Sequence, residues 1–207
     1  MKDSGSNFNR AHRSTRGAVV VLGLAIALAA CGGSDEATSA AAPGAPAGSS
    51  SSSAAAGGGV DVAAANTAEE IGQAVADVYV QAFADLAEAL ADHPDEAVAL
   101  ERMRGVRERH IQDLVALGRK VEALSDADKA TVQSAVSRVQ SGLQYDPAIK
   151  PVYEAYTALH GHYRDAGVMS SNREFNRLFA SFNILTQYAF FDLLERQNPE
   201  EAERLGL

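Results

Sequence analysis

The sequence predicts an all-α domain, an antiparallel bundle of four to five helices carried behind a disordered tether. Three observations lead there. From Thr67 to Leu207 the apolar residues recur at spacings of three and four, the period of an amphipathic helix. Proline and glycine are scarce within that stretch, and β-branched runs are short. Residues 32–66, by contrast, are nearly all Gly, Ser, Ala, Pro and Thr, which bury too little apolar surface to offset the entropy of ordering.

The first helix is expected to start at Thr67, where T-A-E-E reads as a capping box closed by Glu70. Its stripe is Ile71, Val75, Val78, Tyr79, Ala82, Phe83, Leu86 and Leu90, and His93-Pro94 ends it. Pro94 suits the first turn of the second helix, with Asp95 and Glu96 at its positive end. That helix carries Met103, Val106, Ile111, Leu114, Leu117, Val121 and Leu124 inward. Ser125 caps a third, faced by Val132, Val136, Val139 and Leu143. After Asp146-Pro147 comes a tyrosine-rich fourth, faced by Ile149, Val152, Tyr153, Tyr156, Leu159 and Tyr163.

One long last helix is expected from Ser170 or Ser171 to Gln197, stopping before Pro199. Phe175, Leu178, Phe179, Phe182, Leu185, Ala189 and Leu193 form its main face; Ile184, Tyr188 and Phe191 form a second. A helix apolar nearly all round is buried on several sides. Either it is central to the bundle, or Ile184, Tyr188 and Phe191 meet a protein partner. Asn176, Asn183 and Gln187 are either a helix flank hydrogen-bonded to its neighbours or the amide rim of such an interface.

The N-terminus has a different character. Residues 1–16 hold Lys2, Arg10, Arg13 and Arg16 against a single acid, Asp3, and residues 17–30 hold no charge. A cationic start, a short apolar run and small residues are the layout of a secretory signal. The 14-residue run falls short of the ~20 that span a bilayer. It leads into Leu28-Ala29-Ala30-Cys31, whose cysteine is the only one in the chain.

This stretch resembles the lipobox of bacterial lipoproteins. The resemblance implies cleavage of residues 1–30, lipid on Cys31, and a membrane anchor in the cell envelope. With two or more acyl chains such an anchor is stable. Residues 31–66 then form the lipidated cysteine and its spacer, with a root-mean-square span of roughly 30–35 Å, and residues 67–207 form the domain. Gly32 stands where some Gram-negative lipoproteins carry an inner-membrane retention aspartate, so in a two-membrane cell the expected address is the outer membrane, facing the periplasm.

Charge and motifs bound the chemistry. Removing the four cations and one acid of residues 1–30 from the chain's 18 and 27 leaves 14 and 26, a net charge near −12. That is the opposite of a nucleic-acid footprint. The chain has no C-x-x-C-H for haem attachment and no E-x-x-H for a di-iron site. His160 and His162 point apart on a helix; His162 and Asp165 share a face but need a third ligand to hold an ion. No G-x-S-x-G or S-x-x-K falls in the domain. The reading is a non-enzymatic domain with no metal and no cofactor beyond the covalent lipid.

Two polar residues break the second helix's apolar stripe. His110 sits in its middle and Arg107 near its edge. A buried arginine is costly unless paired, so a carboxylate or tyrosine from another helix must meet it; Glu174, Asp85 and Tyr156 are placed to do so. The surrounding Arg102, Arg104 and Arg109, interleaved with Glu101 and Glu108, read as a solvated salt-bridge belt. Arg107 and His110 form either a structural polar network or, with Tyr153, Tyr156 and Tyr163, an internal pocket for a small polar or anionic ligand. The functional expectation is a tethered lipoprotein that binds or supports another envelope protein; the alternative is that ligand-binding bundle.

The anchor is directly testable. Cys31→Ser is expected to release the protein from membranes or leave it unprocessed, read by fractionation and intact mass. A processed variant that still needs detergent would refute lipidation at Cys31.

Overall fold

A computed structural model describes residues 60–207. The signal-like residues 1–30, Cys31 and the tether as far as residue 59 lie outside the described residues. Within them the domain is all-α. Its helices are α1 (Ala68–Ala89), α2 (Glu96–Glu122), α3 (Asp126–Gly142), α4 (Lys150–Asp165), α5 (Val168–Ser171), α6 (Arg173–Ser181), α7 (Phe191–Gln197) and α8 (Pro199–Leu205). A 3₁₀ segment, Phe182–Ala189, joins α6 to α7. No helix among the described residues is long and apolar enough to cross a membrane.

The helices assemble into four rods, two of them broken. α1 and α2 form an antiparallel hairpin. α3 and α4 follow α1 end to end: Val132 and Ala135 lie at Gly72, Tyr153 and Tyr156 against Phe83, and His162 against His93. α6, the 3₁₀ segment and α7 descend along α2. Asn172 binds Glu96, Glu174 meets Arg104, and Tyr188 and Phe191 lie at Gly118. The core fills the space between the rods, with Phe83, Met103, Leu114, Phe175, Phe179 and Leu185 all inaccessible to solvent.

The starts follow local chemistry. Thr67 accepts from the Glu70 amide at 3.2 Å while the Glu70 carboxylate accepts from the Thr67 amide at 3.0 Å, completing the capping box. Asp95 caps α2 and Ser125 caps α3. His93, just before Pro94, takes φ 49° in the turn between the hairpin arms. Residues ahead of Thr67 are also held against the bundle. Lys120 donates to the carbonyls of Val62, Ala63 and Ala65 at 2.8, 3.0 and 2.6 Å, and Ala65 is buried. One ammonium thus spends its three donors seating residues that the composition groups with the tether.

The main difference from expectation is the last rod. The sequence reads as one helix to Gln197, yet it is capped at Asn172, tightens at Phe182 and breaks at Phe190, whose φ −130° and ψ 89° are non-helical. In a 3₁₀ turn, residues three apart eclipse. Phe182, Leu185 and Tyr188 therefore align and are each fully buried, while Ile184 is 53 % exposed. The α-helical period groups Tyr188 with Ile184 and Phe191; the tighter period separates them. Gln187 is buried, and Asn176 and Asn183 are exposed, so the expected amide rim is divided as well.

Close approach of α1 and α3 depends on Gly72. A methyl there would lie 2.9 Å from Ala135 Cβ and 3.2 Å from Val132 Cα, neither of which can rotate away. Gly72→Ala gains about 1 kcal/mol of helix propensity, but overpacking costs about 1–3 kcal/mol. A net loss of stability is expected in chemical denaturation. A midpoint above wild type would mean that α3 does not seat on α1 in this way.

Candidate functional site

The two polar residues in the α2 stripe are both inside the domain, but in different networks. Arg107 donates to the Tyr188 hydroxyl and lies 3.3 Å from Glu201 of α8. Tyr188 in turn donates to the same Glu201 oxygen at 3.0 Å. Arg204 grips Glu201 through Nε at 2.9 Å and Nη2 at 3.0 Å, and reaches Glu108 on α2 at 3.2 Å. Arg107 and Glu201 side chains are only 20 % and 16 % exposed. Contacts from Arg204 first, then Tyr188 and Arg107, hold the Glu201 carboxyl below its ordinary range. Burial pushes the Tyr188 hydroxyl up to about 12, so it remains a donor.

None of the three partners expected for Arg107 meets it. Glu174 pairs with Arg104, Asp85 with His110, and Tyr156 with Asn183. The physical reason is the return of the chain. Asn198, non-helical before Pro199, turns α8 back onto α2, and the 3₁₀ segment rotates Tyr188 inward. Glu201 and Arg204 are thus residues that sequence reasoning missed. The available signal was local: Pro199 opening a short helix, Glu201 and Arg204 at i, i+3, and Gly206 closing it.

His110 is buried at 6 % exposure, with Nε2 3.0 Å from Asp85. Asp85 also accepts from Gln81 at 2.6 Å and lies 3.5 Å from Arg109. His110 Nδ1 is buried with no hydrogen-bond partner among the described residues. That pattern fits a neutral ring donating from Nε2, with the other nitrogen's lone pair facing the core. Burial lowers the imidazole's proton affinity and outweighs the opposite pull of Asp85.

Tyr156 belongs to a third place, an aromatic row. Its ring lies 4.7 Å from Phe83 and 4.9 Å from Phe179, and Tyr163 lies 4.8 Å from Phe175. The hydroxyls are taken up internally. Tyr156 receives a hydrogen bond from Asn183 at 2.6 Å, Tyr163 donates to Pro94, and Tyr79 donates to the Asn183 carbonyl. Burial pushes Tyr156 up to about 12. Arg107, His110 and the tyrosines therefore do not converge on one pocket.

The surface holds an open groove of about 600 Å³ between α1 and α4, floored by Ala87, Ala91, Ala155 and Ala158. His93 and His162 stack at its rim, ring centroids 4.0 Å apart, beside Asp165. Among the described residues no group of three or more His, Cys, Asp or Glu is arranged to hold a metal ion. Of the expected partner-facing trio, Ile184 is exposed, Phe191 is half-buried and Tyr188 is inaccessible, so the three do not make one surface patch. Comparison of the chain with protein-family models, curated proteins and solved structures returns no match.

His110 gives a pH signature. An unfolded histidine titrates near 6.5, whereas the folded one resists protonation. The unfolded chain therefore binds more protons below that value, and stability falls as pH drops through and below about 6.5, being fully present above it. His110→Ala is expected to cost about 1–3 kcal/mol at neutral pH and to flatten this decline. Denaturation midpoints measured across that range check it; parallel curves for wild type and variant would contradict the assignment.

Proposed function

We propose that this is a lipid-anchored lipoprotein of the bacterial envelope whose helical domain binds or supports another envelope protein. The anchor rests on the resemblance of Leu28-Ala29-Ala30-Cys31 to a lipobox. In a two-membrane cell the domain faces the periplasm from the outer membrane. The observation that carries the binding role is the internal engagement of the domain's unusual polar groups. Arg107 is spent on Tyr188 and Glu201, and His110 on Asp85. A ligand chamber would aim such groups at a shared space, and here they serve separate helix contacts. The pocket reading loses support for the same reason, because Tyr156 stands in a third place. The domain is a scaffold that presents surface.

Exposed apolar side chains mark where a partner would seat. Tyr145 is 79 % and Ile184 is 53 % exposed; the first lies after α3 and the second on the 3₁₀ segment. Crosslinking of the intact lipoprotein in its own envelope, with mass spectrometry of the products, is expected to recover one stoichiometric protein. Ile184→Glu or Tyr145→Glu is expected to reduce that yield about tenfold without altering the melting curve, the scale of losing a good apolar contact. Recovery of no stoichiometric protein would overturn the binding role.

A further inference from the structure

The attachment of α8 to the bundle is unusual in kind. Its seven residues make less than two turns, too short to be stable as a helix alone. Its apolar grip is thin: Ala202 is buried, while Leu205 and Leu207 are only half-buried. Charge contacts add to this grip. Glu201 takes four donor contacts, from Arg107, Tyr188 and twice from Arg204. Arg204 adds a strap to Glu108, with both side chains more than two-fifths exposed and therefore screened by salt.

The two halves of this network belong to different bodies. Arg204 and Glu201 move with α8, whereas Arg107 and Tyr188 belong to the bundle and stay behind if α8 lifts. Arg107 Nε is already buried without a hydrogen-bond partner. Removing the Glu201 carboxylate while α8 stays seated would leave a largely desolvated guanidinium with no counter-charge, which is strongly unfavourable. Among the described residues Glu201 is the one carboxylate within ion-pair distance of Arg107, so the arrival of another carboxylate in exchange lowers the cost of lifting α8. The chain joining α7 to α8 is the single non-helical residue Asn198 (φ −148°, ψ 68°), whose N–H donates to the Leu194 carbonyl at 2.7 Å.

We infer that Arg107 and Tyr188 form a carboxylate-binding site for an acidic helical segment of a protein partner, and that α8 is its resident cis occupant. The geometry of α8 describes the segment it competes with: a glutamate on Arg107 and Tyr188, and a leucine one turn later, as Glu201 and Leu205 stand now. Of the α2 arginines only Arg107 faces α8 in this way; Arg102, Arg104 and Arg109 pair with Asp92, Glu174 and Asp85. The inference rests on the reading of the domain as protein-binding and names the chemistry of one contact.

The test uses the intact lipoprotein in detergent and a fluorescent peptide of residues 198–207 as the probe. Glu201→Gln is expected to speed amide exchange in α8 by about tenfold, the scale of losing a charge-assisted hydrogen bond, and leave the middle of α2 unchanged. The peptide is expected to bind Glu201→Gln at least about tenfold more tightly than wild type, whose site is filled. Adding Arg107→Ala abolishes that binding, and Arg107→Lys restores part of it, which separates a lost site from a misfolded domain. Exchange in α8 that stays in step with α2, or peptide binding indifferent to Arg107, overturns the inference. If these hold while envelope crosslinking recovers no protein, the protein-binding reading and the partner's place in this site fail together, and only the cis contact of α8 with Arg107 and Tyr188 remains.

Discussion

One constraint shapes how α1 and the C-terminal helices meet α2, which carries an arginine and a histidine in a face that must be buried. A charge taken out of water without a partner is far more costly than most single packing errors. The fold meets the demand from two directions. α1 supplies Asp85 for His110, and the end of the chain supplies Tyr188 and Glu201 for Arg107. The second solution shapes the C-terminal region. Tyr188 must turn inward, α7 must stop, and α8 must fold back to lay a carboxylate over the guanidinium.

The 3₁₀ segment is the means of that turn. Eight residues is long for this geometry, and its three-residue period points Phe182, Leu185 and Tyr188 along one line into the core. Hydrogen bonds at its entrance favour the tightening. Ser181 donates to the Leu178 carbonyl at 2.6 Å, and Asn183 reaches across to Tyr156. The same tyrosine packs on Phe179 and Phe83, so the aromatic row at one end and the ionic network at the other bracket the segment. Order in the rod comes from those two fastenings more than from helix propensity.

The polar groups divide by what they do for the fold. Lys120 seats the segment entering α1 through three carbonyls, a local clasp at one end of α2. His110 and Asp85 tie the two arms of the first hairpin at a fixed register. Arg107, Tyr188, Glu201 and Arg204 fasten a short terminal helix whose apolar contacts are slight. The first two lie within or beside the most buried helices; the third lies at an edge, where charge supplies what packing does not. An edge element with few buried apolar contacts is among the first parts of a bundle to open locally.

Much of this was legible in the residues. The all-α class, the capping box at Thr67, the cap at Ser125 and the apolar faces of α1, α2 and α4 all follow from local chemistry and a 3.6-residue period. So did the need for Arg107 to find a partner. Its identity did not, because Glu201 lies 94 positions away in a run of charged residues that reads as solvated surface. The break at Phe190 and the 3₁₀ period were likewise invisible, since the α-helical period fits residues 175–193 well enough to hide them. Local sequence determines which segments coil and which faces are apolar. Only the packed structure decides which buried charge meets which counter-charge, because that choice is made by distant segments competing for one desolvated site.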